Sequence, residues 1–386
     1  MPRLSDYWKT DPLFLSVFPQ YMSRDRFFLI LRHLHFNNNN DGNDKLFKIR
    51  PVIDYLNNRM SKIYYPSKEL SLDEAMILWR GRIQFRQYIK NKRHKYGIKI
   101  YTLCEPNGLV LNTIVYTGKS DELGGKGHTN KIVKALMTGR ENHGHSLFMD
   151  NFYNSHDLSK ELLEQGTHVT GTLLANRQHN PKDVVNSKLE KGKTTCLFSE
   201  KHVMVGKWRD KRAVLYLSTE FDNTMTQATN RRGQMSMKPL PIVRYNAYMS
   251  GIDRKDQMMA YYPAERKTIR WYKKLFIHYF VMMMLNLFSL FNKYTTSGKL
   301  ALYDFRLQII RRLLSEKQLV RREPTPRNTE HLPTKCLVGE NGRVMRKKCR
   351  VCKTEQNKRK DTIYHCIACP GNPGLCLEPC FKKYHQ

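Results

Sequence analysis

Apolar residues recur at helical spacing through 14–34, with Pro19 interrupting the run and Ser23 placed to cap a helix over 24–36. Asn37, Asn38, Asn39, Asn40, Asp41 and Gly42 then read as a turn. A second helix over 52–64 would carry Val52, Ile53, Leu56, Met60 and Ile63 on its apolar face. From Glu69 the period shortens to two, predicting strands at 70–74, 83–88, 97–105 and 109–117, the last pair joined by Pro106-Asn107-Gly108. A helix over 130–138, a strand ending on Met149-Asp150, a helix over 156–165 and a strand over 168–174 follow. That alternation places Asp150 at the end of a sheet strand.

The stretch 176–241 has a different texture, with strands at 194–198, 202–207 and 213–218 joined by polar turns, and reads as an all-β insertion. Trp208-Arg209-Asp210-Lys211-Arg212 would form a hairpin tip. Beyond Pro241 the pattern is helical again. The apolar run 275–291 is at the lower limit of about 17 residues for a membrane span and contains His278 and Asn286, so it predicts a buried helix with its methionines as core filler.

Charge changes the picture. Sixty-seven Lys and Arg stand against 34 Asp and Glu, a formal net charge of +33, which is the footprint of a polyanion binder. Met1 to Asp6 lacks an apolar h-region, so secretion is not expected. Three aspartate segments stand out in so basic a chain: Ser71-Leu72-Asp73-Glu74, Phe148-Met149-Asp150-Asn151 and Ser250-Gly251-Ile252-Asp253-Arg254-Lys255-Asp256. Carboxylates brought from separate elements can hold two divalent ions about 3.5–4 Å apart for chemistry on phosphodiesters. Asp253 and Asp256, spaced i, i+3, would share one helix face, with Arg254 and Lys255 as the alternative partners that could neutralise them. Arg266, Lys267 and Arg270 precede Trp271; guanidinium groups can hold phosphate, and the indole can stack on an unpaired base or fill a core at a helix start.

The strings ELSLDEAMILW from Glu69, FMDNFYNSHDLSKELLEQG from Phe148 and GIDRKDQMM from Gly251 resemble the piggyBac transposase family. The resemblance extends from Asp6-Tyr7-Trp8 through His33-Leu34-His35-Phe36-Asn37 to the cysteine-rich end. It implies an α/β fold with an RNase H-like catalytic core and a catalytic set of Asp73, Asp150 and Asp253, with Asp256 as a fourth member. It implies Mg²⁺ or Mn²⁺ held by Asp73, Asp150 and Asp253. The partners implied are double-stranded DNA at transposon ends, TTAA target DNA and a second copy of the chain, with no membrane. Arg266, Lys267, Arg270 and Trp271 match an RKTxRW string whose Trp lies beside the active site, and the hairpin tip at 208–212 would touch DNA. Family members carry a longer N-terminal region, and this chain begins almost on the Asp6-Tyr7-Trp8 segment. A domesticated or truncated DNA-binding or chromatin protein without catalysis is therefore the alternative.

Six of the nine cysteines crowd into the last 38 residues: Cys349-x2-Cys352, Cys366-x2-Cys369 and Cys376-x3-Cys380, followed by His385. Such knuckles suit tetrahedral zinc, and a disulfide framework would need an oxidising compartment that an unsignalled, nuclear chain lacks. Seven ligands are one short of two closed sites, and His365 is the nearest candidate for the eighth. By resemblance the segment is a cross-brace of two Zn²⁺. Cys104, Cys196 and Cys336 are expected as free thiols. The expected organisation is a helical dimerisation and DNA-binding domain split between 1–68 and 263–330, a catalytic domain over 69–262 with its insertion at about 176–241, and a zinc domain over 331–386.

Overall fold

The computed structural model describes residues 3–38, 44–90, 94–199, 202–229, 233–264, 266–296, 298–315 and 331–385. Most of the predicted turn at 37–42 lies outside them. The chain divides into two compact units, Leu29–Ile309 and a smaller one made of Met1–Phe28 with Ile310–Gln386.

Two helices come first, α1 (Phe18–Tyr21) and α2 (Arg24–His33). The Ser23 hydroxyl accepts from the Arg26 N–H at 3.4 Å, as its predicted capping role requires, but α2 stops three residues short of Phe36. Helix α3 (Arg50–Ile63) carries Pro51 in its first turn, where its missing N–H costs nothing, and buries Ile53, Leu56 and Met60; Ile63, expected on that face, is exposed.

A nine-stranded mixed sheet organises the larger unit. Its first strands are β1 (Glu69–Leu78), β2 (Gln87–Tyr88), β3 (Tyr96–Cys104) and β4 (Val110–Val115). The expected strand over 83–88 shrinks to its last two residues, because Arg86 turns back to hydrogen-bond the Ile83 carbonyl and Phe85 drops into the core. Next come α4 (His128–Met137), β5 (Ser146–Met149), α5 (His156–Glu164) and β6 (His168–Thr172). Strands β4, β3 and β1 run antiparallel in sequence across the sheet, and β1, β5 and β6 are parallel.

The stretch 176–241 is not all β. Helix α6 (Lys182–Asn186) lies within it, seated by buried Val184 and by the Lys207 ammonium, which donates to the carbonyls of Val185 and Ser187. Strands β7 (Thr194–Phe198), β8 (Met204–Arg209) and β9 (Ala213–Ser218) extend the main sheet, since β9 pairs antiparallel with β6. Only β10 (Met225–Thr229) and β11 (Met235–Pro239) form a separate hairpin. Trp208 is buried with Met204, Tyr216 and Ile242, so the tip of the β8–β9 hairpin offers Arg209, Asp210, Lys211 and Arg212 but not the indole.

Helices α7 (Leu240–Tyr248), α8 (Gly251–Tyr261) and α9 (Trp271–Tyr294) follow. Helix α9 is long and apolar enough to cross a membrane by length and composition, yet Leu275, Tyr279 and Met282 pack into one core of the sheet. Its Asn286 amide accepts from the Val110 N–H at 2.9 Å and donates to the Val110 carbonyl at 2.8 Å. Asn57 of α3 does the same for Thr113, so two side-chain amides satisfy the outer edge of β4 in place of another strand. The polar residue that interrupts the apolar run is thus the one that docks the helix.

Helix α10 (Leu302–Ser315) spans the division between the units, and the smaller one then has β12 (Pro333–Lys335), β13 (Lys347–Lys348), α11 (Arg350–Glu355), β14 (Asp361–Thr362), β15 (Tyr364–Cys366) and α12 (Cys380–Tyr384). So few regular residues cannot build a large apolar core, and its centre is made of Cys349, Cys352, Cys366, Cys369, Cys376 and Cys380 with Val351 and Leu375.

Candidate metal centres

Alternation along β1 sends Leu70 and Leu72 into one core and Ala75 and Ile77 into the other, which puts Asp73 on the second face beside Ser71. Register then brings in Asp150. Strands β1 and β5 are parallel with Leu72 opposite Met149, so Asp73, still within β1, stands beside Asp150, the residue that follows β5. The Asp73 carboxylate accepts from the Glu74 N–H at 2.7 Å, and that of Asp150 accepts from the Phe152 N–H at 2.9 Å, a local turn that fixes its direction.

Asp253 arrives on the first turn of α8. A Cβ on Gly251 would lie 2.5 Å from the Ser71 hydroxyl and 2.6 Å from the Glu105 carbonyl, so only glycine lets this helix start so close to β1. The turn at Gly108, with φ of +94°, packs against the same helix. Tyr245 of α7 registers the convergence: burial and then the charges of Asp150, Asp73 and Asp253 push its phenol up to about 12, against a hydrogen bond from Thr172. Three carboxylates sharing one neighbourhood repel unless a cation joins them, and hard oxygen donors from three elements suit a divalent ion. Their ligand atoms are nonetheless more widely spread than those of the zinc-type clusters below, the only sets among the described residues with all ligand atoms within 4.8 Å of one another.

Asp256 is differently placed. Lys255 is 1% exposed, and its ammonium lies 2.9 Å from the Asp256 carboxylate, without the angle of a good hydrogen bond. The neighbouring lysine thus supplies the opposite charge for Asp256. The surroundings hold groups that sequence reasoning missed: Glu74 accepts from Tyr153 at 2.6 Å and faces buried Lys99 at 3.7 Å. No spacing in the chain marks them, because the sheet register alone brings them together.

Segment 262–270 carries Arg266, Lys267 and Arg270 directly after α8, with Lys267 and Arg270 exposed. Trp271 opens α9 half-buried, edge-to-face on Phe85 at 5.3 Å between ring centres. Its ring also meets Tyr272 edge-to-face at 6.0 Å, and it packs, partly buried, against the core.

The smaller unit holds two tight clusters. One is Cys349, Cys352, Cys376 and Cys380; the other is His331, Cys366, Cys369 and His385. The eighth ligand is therefore His331 and not His365, whose ring instead sits 3.6 Å from the Cys336 sulfur while its backbone pairs β15 with β12. The three cysteine pairs alternate between the clusters along the chain, and two single histidines, His331 before them and His385 after them, complete the second, so the two sites interleave. Cys352 lies 3.5 Å from Cys380 and 3.9 Å from Cys376; His331 Nδ1 lies 3.5 Å from Cys366 and 3.4 Å from Cys369. Tetrahedral zinc with Zn–S of about 2.3 Å and Zn–N of about 2.0 Å places its ligand atoms about 3.5–3.8 Å apart, so the donor sets fit. His385 donates from Nδ1 to the Phe381 carbonyl at 2.7 Å, which leaves Nε2, 3.2 Å from Cys369, as the metal-facing lone pair. Burial and then neighbouring thiols raise Cys376 and Cys380; burial also raises Cys349, but N–H groups of Cys352 and Cys376 outweigh it and bring it down. Four sulfurs this close ionise together only around a cation.

The sequence profile of the family described as Transposase IS4 matches residues 1–288, and that of the DDE_Tnp_1-like zinc finger matches residues 327–386. The human protein named PiggyBac transposable element-derived protein 3 is 27% identical over 402 residues, covering 99% of this chain and 63% of that protein. The human PiggyBac transposable element-derived protein 2 is 27% identical over 308 residues, covering 74% of this chain and 51% of that protein. The chain thus spans less than two thirds of the length of these relatives. A piggyBac transposase solved by cryo-electron microscopy as a synaptic complex with hairpin DNA shares the fold, with a TM-score of 0.69, 24% identity, and coverage of 98% of this chain and 85% of that one. A profile that spans the sheet and all the aspartate segments, joined to a second over the cysteine-rich end, places the chain in the piggyBac transposase family.

Proposed function

We propose that this protein is a DNA transposase whose RNase H-like core uses Asp73, Asp150 and Asp253 to hold divalent metal, Mg²⁺ or Mn²⁺. What supports the reading is the strand register that sets Asp73 beside Asp150 and the close approach of the first turn of α8, which carries Asp253, to Ser71 of β1 at Gly251, in a chain of net charge +33. Metal held there would supply Lewis-acid stabilisation of the phosphodiester oxygens. The aspartates orient the ions. The basic surface, including Arg266, Lys267 and Arg270, neutralises phosphates, and the steps would be nicking at a transposon end, hairpin formation by the freed 3′ hydroxyl, hairpin opening and joining at TTAA.

In this reading Asp256 is set by Lys255, Trp271 flanks the site, and Cys349, Cys352, Cys376 and Cys380 hold one Zn²⁺ while His331, Cys366, Cys369 and His385 hold a second. Residues 1–68 and 263–330 serve dimerisation and DNA binding in the nucleus. The second reading, a domesticated DNA-binding protein without cleavage, is favoured by one observation: the matching human relatives bear the name transposable element-derived protein.

One assay separates them. Zinc-loaded protein is incubated with Mg²⁺ or Mn²⁺ and supercoiled plasmid carrying the DNA that flanks the gene. The transposase reading expects metal-dependent nicking at a defined position, lost in Asp150→Asn; binding without nicking would establish the second reading.

A further inference from the structure

We infer a phosphate-binding pocket in the larger unit, formed by His35, Lys48, Arg270 and Tyr272 against the first turn of α9, that takes one backbone phosphate of DNA. The inference rests on the DNA-binding part of the reading above and adds a site to it. A cavity of 180 Å³ is lined by His35, Phe36, Asn37, Lys48, Arg270 and Tyr272. That is many times the room one ordered water needs and is enough for a phosphate group.

Its charge is one-sided. No carboxylate pairs with Lys48 or Arg270 among the described residues, although both line the same small space. Two unpaired cations converging on one cavity repel each other, and an anion between them turns that repulsion into attraction. Buried Tyr272 ties the set together: Arg270 donates to its hydroxyl at 3.3 Å, and the Lys48 ammonium stands 5.6 Å from its ring centre. The hydroxyl that accepts from Arg270 keeps its own proton to donate to a ligand. The α9 amino terminus adds the positive end of a 24-residue helix.

The walls are fixed before any ligand arrives. Phe36 stacks on Phe276 at 4.4 Å, and the Asn37 amide donates to the Phe47 carbonyl at 3.0 Å, which ties the two sides of the pocket mouth. Lys273 is turned away and donates to the Arg32 carbonyl at 2.8 Å, so it holds the end of α2 in place and is not part of the anion set. A preformed, unpaired, cationic cavity next to the segment that leads from α8 is suited to grip a phosphodiester at a fixed distance from the aspartates.

The test is binding of labelled duplex DNA, followed by fluorescence anisotropy across a salt series, for the full chain, Lys48→Met, Arg270→Gln and the control Lys134→Met. Lys134 already pairs with Glu161 at 2.5 Å, so its loss should release few counterions. Each pocket variant should weaken binding about ten-fold at low salt and reduce the slope of log K against log salt by about one, with melting temperature unchanged, while the control keeps both. Inorganic phosphate supplies the second arm: millimolar phosphate should raise the melting temperature of the unmodified chain and not of Lys48→Met. Pocket variants that bind DNA with wild-type affinity and slope would overturn the DNA role. If the unmodified chain binds no DNA, the DNA-binding reading fails, and phosphate stabilisation lost in Lys48→Met would then identify a free-anion site. Absence of that stabilisation as well would overturn the pocket itself.

Discussion

The aspartate site and the cysteine clusters solve the same problem, gathering anionic ligands around a cation, in opposite ways. In the smaller unit the ligands are the core: six buried thiols replace the apolar residues that so short a segment lacks, and their spacing is set by knuckles of two or three residues. In the larger unit the sheet and its two apolar cores are complete without the aspartates, which stand within β1, just past β5 and on the first turn of α8. One site depends on metal for its fold and the other depends on the fold for its metal. Removing a cation should therefore unfold the first and leave the second standing.

The largest effect tests that contrast. Two equivalents of zinc are expected by metal analysis, and stripping them with a chelator should unfold 331–385 at a cost of the order of 10 kcal/mol or more per site, with the larger unit still melting cooperatively. His331→Ala should lose one equivalent, whereas His365→Ala should keep two; the reverse result would restore His365 as the ligand.

A middle-sized effect comes from Lys255. Asp256→Asn leaves the buried Lys255 ammonium without its counter-charge and should cost about 3–5 kcal/mol in denaturant unfolding. Much of that loss should return in Lys255→Met combined with Asp256→Asn. A double variant as unstable as the single one would show that Lys255 does not act through Asp256. Trp271→Ala should cost less, about 2 kcal/mol, since the indole is only partly buried, packing on Phe85 and Tyr272. Trp271→Phe should recover most of it, and a loss near the full ~3–5 kcal/mol of a core tryptophan would place the ring wholly in the core.

The smallest effect concerns His145, buried under Tyr65 with its ring against the Lys68 carbonyl. Burial, with smaller contributions from His143 and Arg140, holds its imidazole below the ordinary value of 6.5. A depressed folded value means that the unfolded chain binds the proton more readily, so this stabilisation is fully present above about pH 6.5 and is lost as pH falls through the folded value. His145→Asn should flatten the decline in melting temperature between about pH 7 and 5.5, and an unchanged decline would remove the effect.

What could be read in the chain follows the same division. Cysteine pairs announce themselves because ligand spacing along a knuckle is a local property, and all six cysteines fall where their spacing predicts. His331 did not, because it stands 18 residues before Cys349 and joins Cys366 and Cys369 only through tertiary closure. The strands at 97–105 and 213–218 were legible from alternation, whereas 83–88 was not, since Phe85 is buried by a turn. Asp73 and Asp150 share a site through strand register, and Gly251 controls the approach of α8 through space that no period records. The resemblance supplied what local pattern could not. Lys255, read as one of two possible partners, is distinguished from Arg254 only by its burial.

The central claim is that Asp73, Asp150 and Asp253 form one metal site on a fold that survives their loss. Electron paramagnetic resonance titration of Mn²⁺ into the zinc-loaded, DNA-bound protein measures it directly. Bound Mn²⁺ should be seen in the unmodified chain, with affinity falling at least about ten-fold, or about 1.4 kcal/mol, in each of Asp73→Asn, Asp150→Asn and Asp253→Asn while melting temperature and zinc content hold. Any one of the three variants binding Mn²⁺ as the unmodified chain does would contradict the account.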